Sequence, residues 1–319
     1  MRISTAWSQQ VEVNALQSQQ SKLVQTQIQL DSNQKINNAS DDPLATLTIN
    51  NLNKSIAQTT QYQTNITTAE QRLELEDSVL QSATDILGRI KELAVQSLNA
   101  TYSANDRSVM AMEMEGLNDE LMSIANTKNT NGEYIFAGFK SSTPAFTKAT
   151  PSSNASATDA TSVSMLTYTG DLNTRSIQIG LNRQIKDGDN GVTVFGEPNT
   201  TDSLANIPAG SFTNVFQGIE KMVTDLRANQ PNDLSLTDLD NSLNKLVSAR
   251  ASVGVRLNAL EDQNTINDDF LLGMKSVLSD TQDLDYTEAI SRLNAQSLSL
   301  QIAQQSYAQI KQLSLFKYL

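Results

Sequence analysis

The chain has 319 residues and a net charge of −12, and it contains neither cysteine nor histidine. Without a basic patch to replace phosphate counterions, nucleic acid and anionic membrane surfaces are excluded as partners. Without Cys or His there is no disulfide framework or thiolate metal site, and the commonest general base is missing, so we predict no catalytic residue, no metal site and no cofactor.

The first thirty residues carry a narrow apolar stripe and no targeting signal. The opening, MRISTAWSQQVEVNALQ, lacks the apolar core of a secretory signal peptide. No run of the chain reaches the ~18 apolar residues that a membrane-spanning helix needs. We therefore expect a soluble protein that, if it is exported, does not use the common signal-peptide route. The N-terminal stripe consists of Val13, Leu16, Leu23 and Leu30.

The next motif, KINNASDDPLATLTINNL over 35–52, places two aspartates directly before a proline. Asp42 is a favourable helix cap and Pro43 a favourable first helical residue, because proline needs no N–H there. Asp41 adds negative charge near the positive end of the helix. The alternative, a catalytic carboxylate pair, lacks a neighbouring group to complete an acid–base set.

Three stretches predict long helices. Residues 44–99 form a heptad pattern, which predicts a helix of roughly 80 Å packed along another helix. A second helix is predicted over 105–128, capped by Asn105 or Asp106. A third is predicted over 239–278. The first row of the 44–99 pattern is Ile66, Leu73, Leu80, Leu87 and Ala94, and the second is Ala69, Ala83 and Ile90, interrupted by Glu76.

The middle of the chain changes character. EYIFAGF over 133–139 predicts a short strand with a glycine turn, and SMLTYTG, TRSIQIGL and GVTVFG predict strands of a small inserted domain. KDGDNGV over 186–192 resembles a calcium loop but lacks its final glutamate, so we interpret it as a hairpin turn. A further helix is predicted over 212–228.

The C-terminal stripe resembles the N-terminal one. Ordering one backbone residue costs about 1–2 kcal/mol, and burying one leucine contributes only about 1.5–3 kcal/mol. A lone helix with one apolar residue per turn cannot offset that cost. We therefore expect both termini to be loose in the monomer and to order against neighbouring copies. The C-terminal stripe consists of Ala289, Leu293, Leu300, Ala303, Tyr307 and Ile310, and Phe316 follows it.

These motifs carry a resemblance to the flagellin superfamily. Its N-terminal motif, Ser-x-Gly-x-Arg-Ile-Asn-x-Ala-x-Asp-Asp, matches this sequence at Ser32 and at most later positions, with Asn33 for Gly and Lys35 for Arg. Asparagine tolerates a left-handed backbone next best after glycine, so the turn is expected to persist. The matching positions are Ile36, Asn37, Ala39, Asp41 and Asp42, followed by Pro43.

Further blocks resemble the hook-associated branch of that superfamily. They are the opening MRIST, the Asp-Asp-Pro continuation, NGEYIFAGFKSSTPAF over 131–146 and the ending QLSLFKYL. The resemblance implies a mainly α fold with an inserted β-rich domain, built as a long antiparallel helical bundle from both halves of the chain. We expect a terminal assembly domain at 1–42 and 281–319, a long-helix bundle at 43–140 and 211–280, and an outer domain at 141–210.

The resemblance also implies a non-enzymatic function outside the cell. We expect a structural adaptor of the bacterial flagellum, exported by the flagellar type III route, that joins the hook to the flagellin filament. Its implied partners are a ring of identical copies, another hook-associated protein, flagellin, and an export chaperone at the C-terminus. One alternative is filament flagellin itself. The other is an enzyme that uses acidic residues of the inserted domain, which offers Asp171, Arg175, Asp187 and Asp189.

Overall fold

The computed structural model describes residues 2–149, 165–200 and 207–316. Within these ranges the chain forms helices and two β-hairpins inserted between them, which confirms the expected fold class. The helices are α1 (Arg2–Ser32), α2 (Pro43–Ser97), α3 (Ala104–Ala125), α4 (Gly191–Phe195), α5 (Val215–Arg227), α6 (Leu234–Gln282) and α7 (Tyr286–Phe316). The strands are β1 (Phe146–Ala149), β2 (Met165–Tyr168), β3 (Ser176–Gly180) and β4 (Arg183–Lys186).

The chain divides into two compact units. The terminal unit consists of Met1–Thr60 and Asp268–Leu319, and the central unit consists of Gln61–Asn267. In the terminal unit α1 contacts α7. In the central unit α3 packs against α5, and each hairpin is antiparallel.

Both predicted heptad rows of α2 are buried in the core of the central unit, and α6 contributes every seventh residue to the same core. Ion pairs show that the two helices run antiparallel here, because Lys91 pairs with Asp240 and Asp77 with Arg250, which lies further along α6. A heptad pattern places one face of each helix against the other over many turns, so this part of the prediction is confirmed. The core residues from α6 are Leu239, Leu246, Val253 and Leu260.

The hairpin of β1 and β2 borders a cluster of aromatic rings. β1 pairs with β2 so that Phe146 lies opposite Tyr168. The Phe146 ring centroid lies 5.1 Å from that of Phe216 on α5 and 5.8 Å from that of Phe195 on α4. Edge-to-face contacts of this kind add to the free energy gained from burial. The aromatic cluster therefore fixes β1, α4 and α5 to one another.

Residues 133–139 do not form the short strand that the sequence predicts. Their N–H groups bond locally and to loops: Tyr134 donates to the Ser141 carbonyl (2.8 Å) and Ala137 to the Tyr134 carbonyl (3.5 Å). Gly138 adopts a φ of 62°, and a Cβ there would lie 2.4 Å from the Asp171 carbonyl oxygen. Close backbone approach and a left-handed residue produce consecutive turns where the pattern predicted an extended segment.

Three further expectations are corrected. GVTVFG forms helix α4 and not a strand, because the Asn190 side chain accepts the Thr193 N–H at 2.9 Å and starts a helical turn. The KDGDNGV stretch consequently joins β4 to α4 and is not a hairpin turn. The cap of α3 is Ser103, one turn earlier than Asp106, and these two residues form a reciprocal capping box.

Candidate assembly surfaces

The family-like motif at 32–43 lies where the links between helices meet in the terminal unit. Asn33 adopts a left-handed backbone with a φ of 57°, as the comparison with glycine predicts. The Lys35 N–H donates to the Gln282 carbonyl at 2.8 Å, and the Leu284 N–H donates to the Asn33 carbonyl at 3.3 Å. The link between α1 and α2 is thereby hydrogen-bonded to the link between α6 and α7.

The two aspartates of the motif make different hydrogen bonds. Asp42 stands before the first residue of α2, and its Oδ1 accepts the Ala45 N–H at 2.9 Å. Asp41 accepts the Asn38 N–H at 3.1 Å, which closes the turn before the helix, and it accepts the Gln25 amide at 3.4 Å. Both carboxylates are thus used locally to shape the backbone.

The other motif residues have mainly backbone roles or exposed side chains. Lys35 accepts the Gln29 amide through its carbonyl at 2.7 Å, while its side chain is exposed. Asn37 donates to the Gln34 carbonyl at 3.4 Å. Ile36 is half-buried, Ala39 is exposed, and Pro43 is the first residue of α2. These positions define the geometry of the link.

The two predicted stripes lie on α1 and α7 and are half-buried, except that Ala289 is buried. Because these helices contact each other, part of each stripe is covered within a single chain. The side chains of Ile310 and Phe316 lie outside the described part of the structure. The residues found half-buried are Val13, Leu16, Leu23, Leu30, Leu293, Leu300, Ala303 and Tyr307.

Other large apolar side chains of the terminal unit are exposed, and periodicity analysis did not select them. Trp7 is 70% exposed, Phe270 63% and Leu298 58%. They occupy positions outside the two stripes on the helices of the terminal unit. A search for one stripe per helix therefore overlooks them. Among the described residues of the terminal unit, the exposed large apolar side chains are Trp7, Val11, Val24, Ile28, Leu44, Leu47, Phe270, Leu272, Val277, Tyr286, Ile290, Leu298 and Ile302.

The terminal unit has little interior of its own. Among its described residues, the buried apolar side chains are Leu271, Leu284 and Ala289. Glu12 and Gln296 each keep a buried side-chain oxygen without a hydrogen-bond partner among the described residues. Unsatisfied acceptors and sparse burial both reduce the stability of an isolated unit.

The acidic residues of the inserted region are engaged in structural ion pairs. Asp187 is buried and accepts from Arg72 of α2 at 2.8 Å and from Arg175 at 3.0 Å. Burial raises the pKa of the Asp187 carboxyl, and the charge of Arg72 opposes that effect. Asp189 pairs with Arg256 of α6 at 2.5 Å. These pairs hold the loop between β4 and α4 against the long helices, a role that sequence analysis missed.

Asp171 has a separate structural role. Its side chain accepts the Asn173 N–H at 2.7 Å and thereby shapes a local turn. In the described ranges, no group of three or more acidic side chains is arranged to hold a metal ion. In the same ranges, no helix is long and apolar enough to cross a membrane.

The chain resembles known proteins in sequence and in fold. The model of the bacterial flagellin N-terminal helical region matches residues 3–141. Flagellar hook-associated protein 3 of Escherichia coli (strain K12) is 30% identical over 99% of each chain. The flagellar filament 30.7 kDa core protein of Treponema maltophilum is 37% identical, but over only 34% of this chain and 38% of its own. In fold, the chain is similar to the crystal structure of the flagellar junction protein FlgL from Legionella pneumophila, with a TM-score of 0.57, 20% identity, and coverage of 75% of this chain and 100% of that one.

Proposed function

Because this chain belongs to the family of flagellar hook-associated protein 3, we propose that it is a structural component of the bacterial flagellum that joins the hook to the flagellin filament. The observation that carries the proposal is the match over 99% of both chains, which includes both termini and the inserted region. The likeness to the Treponema filament protein is limited to about a third of the chain, which favours a junction protein over filament flagellin.

The proposed mechanism rests on the exposed apolar side chains of the terminal unit. An apolar surface of this extent is typical of a protein that completes its packing against other molecules. In a ring of identical copies, α1 and α7 would bury these side chains against the same helices of neighbours. The proposed assembly interface combines the stripes on α1 and α7, which include Leu16, Leu23, Leu293 and Leu300, with exposed residues such as Leu298.

The proposal assigns a task to each part of the chain. Residues 1–42 and 281–319 would form the assembly domain, 43–140 with 211–280 the long-helix bundle, and 141–210 the outer domain. One side of the ring would contact another hook-associated protein and the other side flagellin, which makes the molecule an adaptor and not an enzyme. Its place would be outside the cell, at the hook–filament junction, after type III export.

A deletion strain tests the proposal. We expect cells that lack this chain to build hooks but no filaments and to release flagellin into the medium, as seen by electron microscopy and by immunoblotting of the culture supernatant. The native gene supplied in trans should restore filaments. Normal filaments in the deletion strain would contradict the proposal.

A matched pair of surface variants separates assembly from folding. We expect Leu298→Asp in α7 to abolish filaments, because a charge at an interface between copies is desolvated without a partner. Leu172→Asp, at a site 64% exposed in the inserted region, is the control and should leave filaments intact. Both variants should be secreted and have wild-type circular dichroism. Equal filament numbers in the two strains would remove the terminal surface from the mechanism.

Binding of the export chaperone is proposed for the C-terminal end. Removal of residues 313–319 should weaken chaperone binding, measured by co-purification, and junction incorporation is scored separately on isolated hooks. A truncated chain that behaves like the wild type in both assays would exclude this end as a partner site.

A further inference from the structure

Glu76 is a carboxyl group at a core position of α2. It stands in the second heptad row between Ala69 and Ala83, where apolar side chains are otherwise found. The residue is only 2% exposed, and its Oε1 has no hydrogen-bond partner among the described residues. An ionised carboxylate here loses its hydration without full replacement, so the neutral acid is favoured.

The loop at 187–190 covers this carboxyl group. A Cβ added at Gly188 would lie 3.9 Å from Glu76 Oε2, so the loop backbone passes close by. The carboxyl group of Glu76 lies beside that of Asp189, whose negative charge and side-chain hydrogen bond both raise the pKa of Glu76. A hydrogen bond between two carboxyl groups requires a proton on one of them, because ionised carboxylates only accept.

The cation beside these two carboxyl groups already has an ion-pair partner. Arg256 of α6 pairs with Asp189, and both side chains are largely buried. Of the two neighbouring carboxyl groups, Asp189 is thus the one matched by a cation in direct contact. Glu76 is the one whose ionisation would leave two negative charges facing one guanidinium.

We propose that Glu76 carries a proton in the folded protein and serves as a proton-dependent latch between α2 and the loop at 187–190. With the proton in place, Glu76 donates to Asp189, which still pairs with Arg256. One hydrogen-bonded chain then joins α2, the loop and α6. Loss of the proton replaces the hydrogen bond by repulsion, so the loop, although still held by the ion pairs of Asp187 and Asp189, opens more readily.

The latch controls more than the loop itself. Next to Asp189, the Asn190 side chain donates to the Leu172 carbonyl at 2.7 Å and also caps α4. The Gly191 N–H donates to the Phe136 carbonyl at 2.8 Å. Opening of the loop therefore loosens the attachment of α4 and of the turn at Leu172, while the heptad core of α2 and α6 stays packed.

The sign of the pH dependence follows from the surroundings of Glu76. Burial, followed by the charge of Asp189, raises the pKa of Glu76 from its ordinary value of 4.5 to about 8, although Arg256 acts in the opposite direction. Between these two values the folded chain keeps a proton that the unfolded chain has released. The latch is therefore closed at low pH, weakens as pH rises through this window, and changes no further above it. The other charged groups lining the same cleft are Arg72, Glu133, Arg175 and Asp187.

Hydrogen–deuterium exchange of the full-length protein tests the latch. The wild type, Glu76→Gln and Glu74→Gln are compared at about pH 6 and about pH 8.5, and protection of the segment 187–195 is corrected for intrinsic exchange. Glutamine can donate to Asp189 as the protonated acid does, so Glu76→Gln should keep its protection. In the wild type and in the exposed control Glu74→Gln, protection should fall by about tenfold or more between about pH 6 and about pH 8.5. The release of one proton changes the opening equilibrium by up to about tenfold per pH unit. Parallel pH profiles of the wild type and Glu76→Gln would overturn the proposal.

A second variant covers the case in which glutamine disturbs packing at this buried site. Asp189→Asn removes the negative neighbour that raises the pKa of Glu76, so this pKa should fall and the loss of protection between the two pH values should become smaller. Infrared spectroscopy of the wild type at about pH 7 should also show a protonated carboxyl group that is absent above about pH 9. An undiminished loss in Asp189→Asn, or no such carboxyl band, would equally overturn the proposal.

Discussion

The terminal and central units are both built from long helices, yet they place their apolar side chains differently. In the central unit the heptad rows of α2 and α6 are buried together with the aromatic cluster around Phe146. In the described part of the terminal unit, Leu271, Leu284 and Ala289 are buried, whereas Trp7 and many other large apolar residues are exposed. Similar helices thus yield one unit with a large apolar core and one with very little.

The difference shows what an apolar stripe requires. A helix buries a stripe only where a neighbour covers it, and the central unit supplies neighbours through α3, α5 and the hairpins as well as through the paired long helices. The contact of α1 with α7 covers one face of each helix. The remaining apolar faces of the terminal unit are available to other copies, which is the physical basis of the proposed assembly.

The largest expected effect is the difference in backbone protection between the units in the free monomer. Amides of α1 between Leu16 and Leu30 should exchange through openings that cost at most about 2 kcal/mol, whereas those of α2 between Ile66 and Leu87 should require global unfolding. Hydrogen exchange followed by mass spectrometry of peptides measures both. On assembly with neighbours, the α1 amides should become slow. If the α1 amides exchanged as slowly as those of α2 in the free monomer, the proposed difference in stability between the two units would be contradicted.

Matched truncations of leucine sharpen the same contrast. Leu80→Ala deletes a fully buried side chain of α2 and should lower the free energy of unfolding of the central unit by about 2–5 kcal/mol, from lost transfer and the cavity left behind. Leu298→Ala, at an exposed site of α7, should change it by no more than about 0.5 kcal/mol. Urea unfolding followed by circular dichroism compares them. Similar losses would mean that the exposed site is packed in solution.

The central unit was largely predictable from the sequence because its signal is long and repeated. Positions such as Leu73 and Val253 recur at heptad spacing over many turns, so a local irregularity such as Glu76 does not obscure the pattern. Short segments lack this averaging. The segment at 133–139 is rich in aromatic and apolar residues like a strand. Its turns depend on a hydrogen bond to Ser141, just beyond it, and on the close approach of Asp171, which lies further along the chain.

The proposed assembly surface was less predictable, for a related reason. A stripe such as Leu16 and Leu23 reveals which face of a helix is apolar, but not how many neighbours that helix has. The latch and the ion pairs were hidden because they join distant segments, as Arg72 and Asp187 do across 115 positions. Local chemistry sufficed for Asn33, whose φ follows from the behaviour of asparagine in a turn, and for the cap Asp42 before Pro43.

A smaller effect is expected from the ion pairs of the central unit. Arg72→Met removes the closest cationic partner of buried Asp187 and should cost about 1–3 kcal/mol of unfolding free energy. Burial already raises the pKa of Asp187, and loss of Arg72 should raise it further. The folded variant then holds a proton that the unfolded chain releases, so its deficit should grow as pH rises through that range.

A matched control for this ion pair is Lys148→Met. Lys148 pairs with Asp119 at the surface, so its loss should cost no more than about 1 kcal/mol, with little pH dependence. Thermal unfolding at about pH 5 and about pH 8 compares the two variants. A deficit of Arg72→Met that shrinks with rising pH would show that Asp187 is not the group left unpaired.

The smallest effect concerns two helix caps with similar chemistry in different units. Asp42 accepts the Ala45 N–H in the terminal unit, and Ser103 accepts the Asp106 N–H in the central unit. Substitution of either cap by alanine should cost about 1 kcal/mol locally. Because α3 packs against α5, Ser103→Ala should lower the urea midpoint of the central unit, whereas Asp42→Ala should only increase exchange in the first turns of α2. Equal shifts of the urea midpoint in Ser103→Ala and Asp42→Ala would mean that the chain unfolds as one cooperative body. The scarcity of buried side chains in the terminal unit would then have no thermodynamic effect of its own.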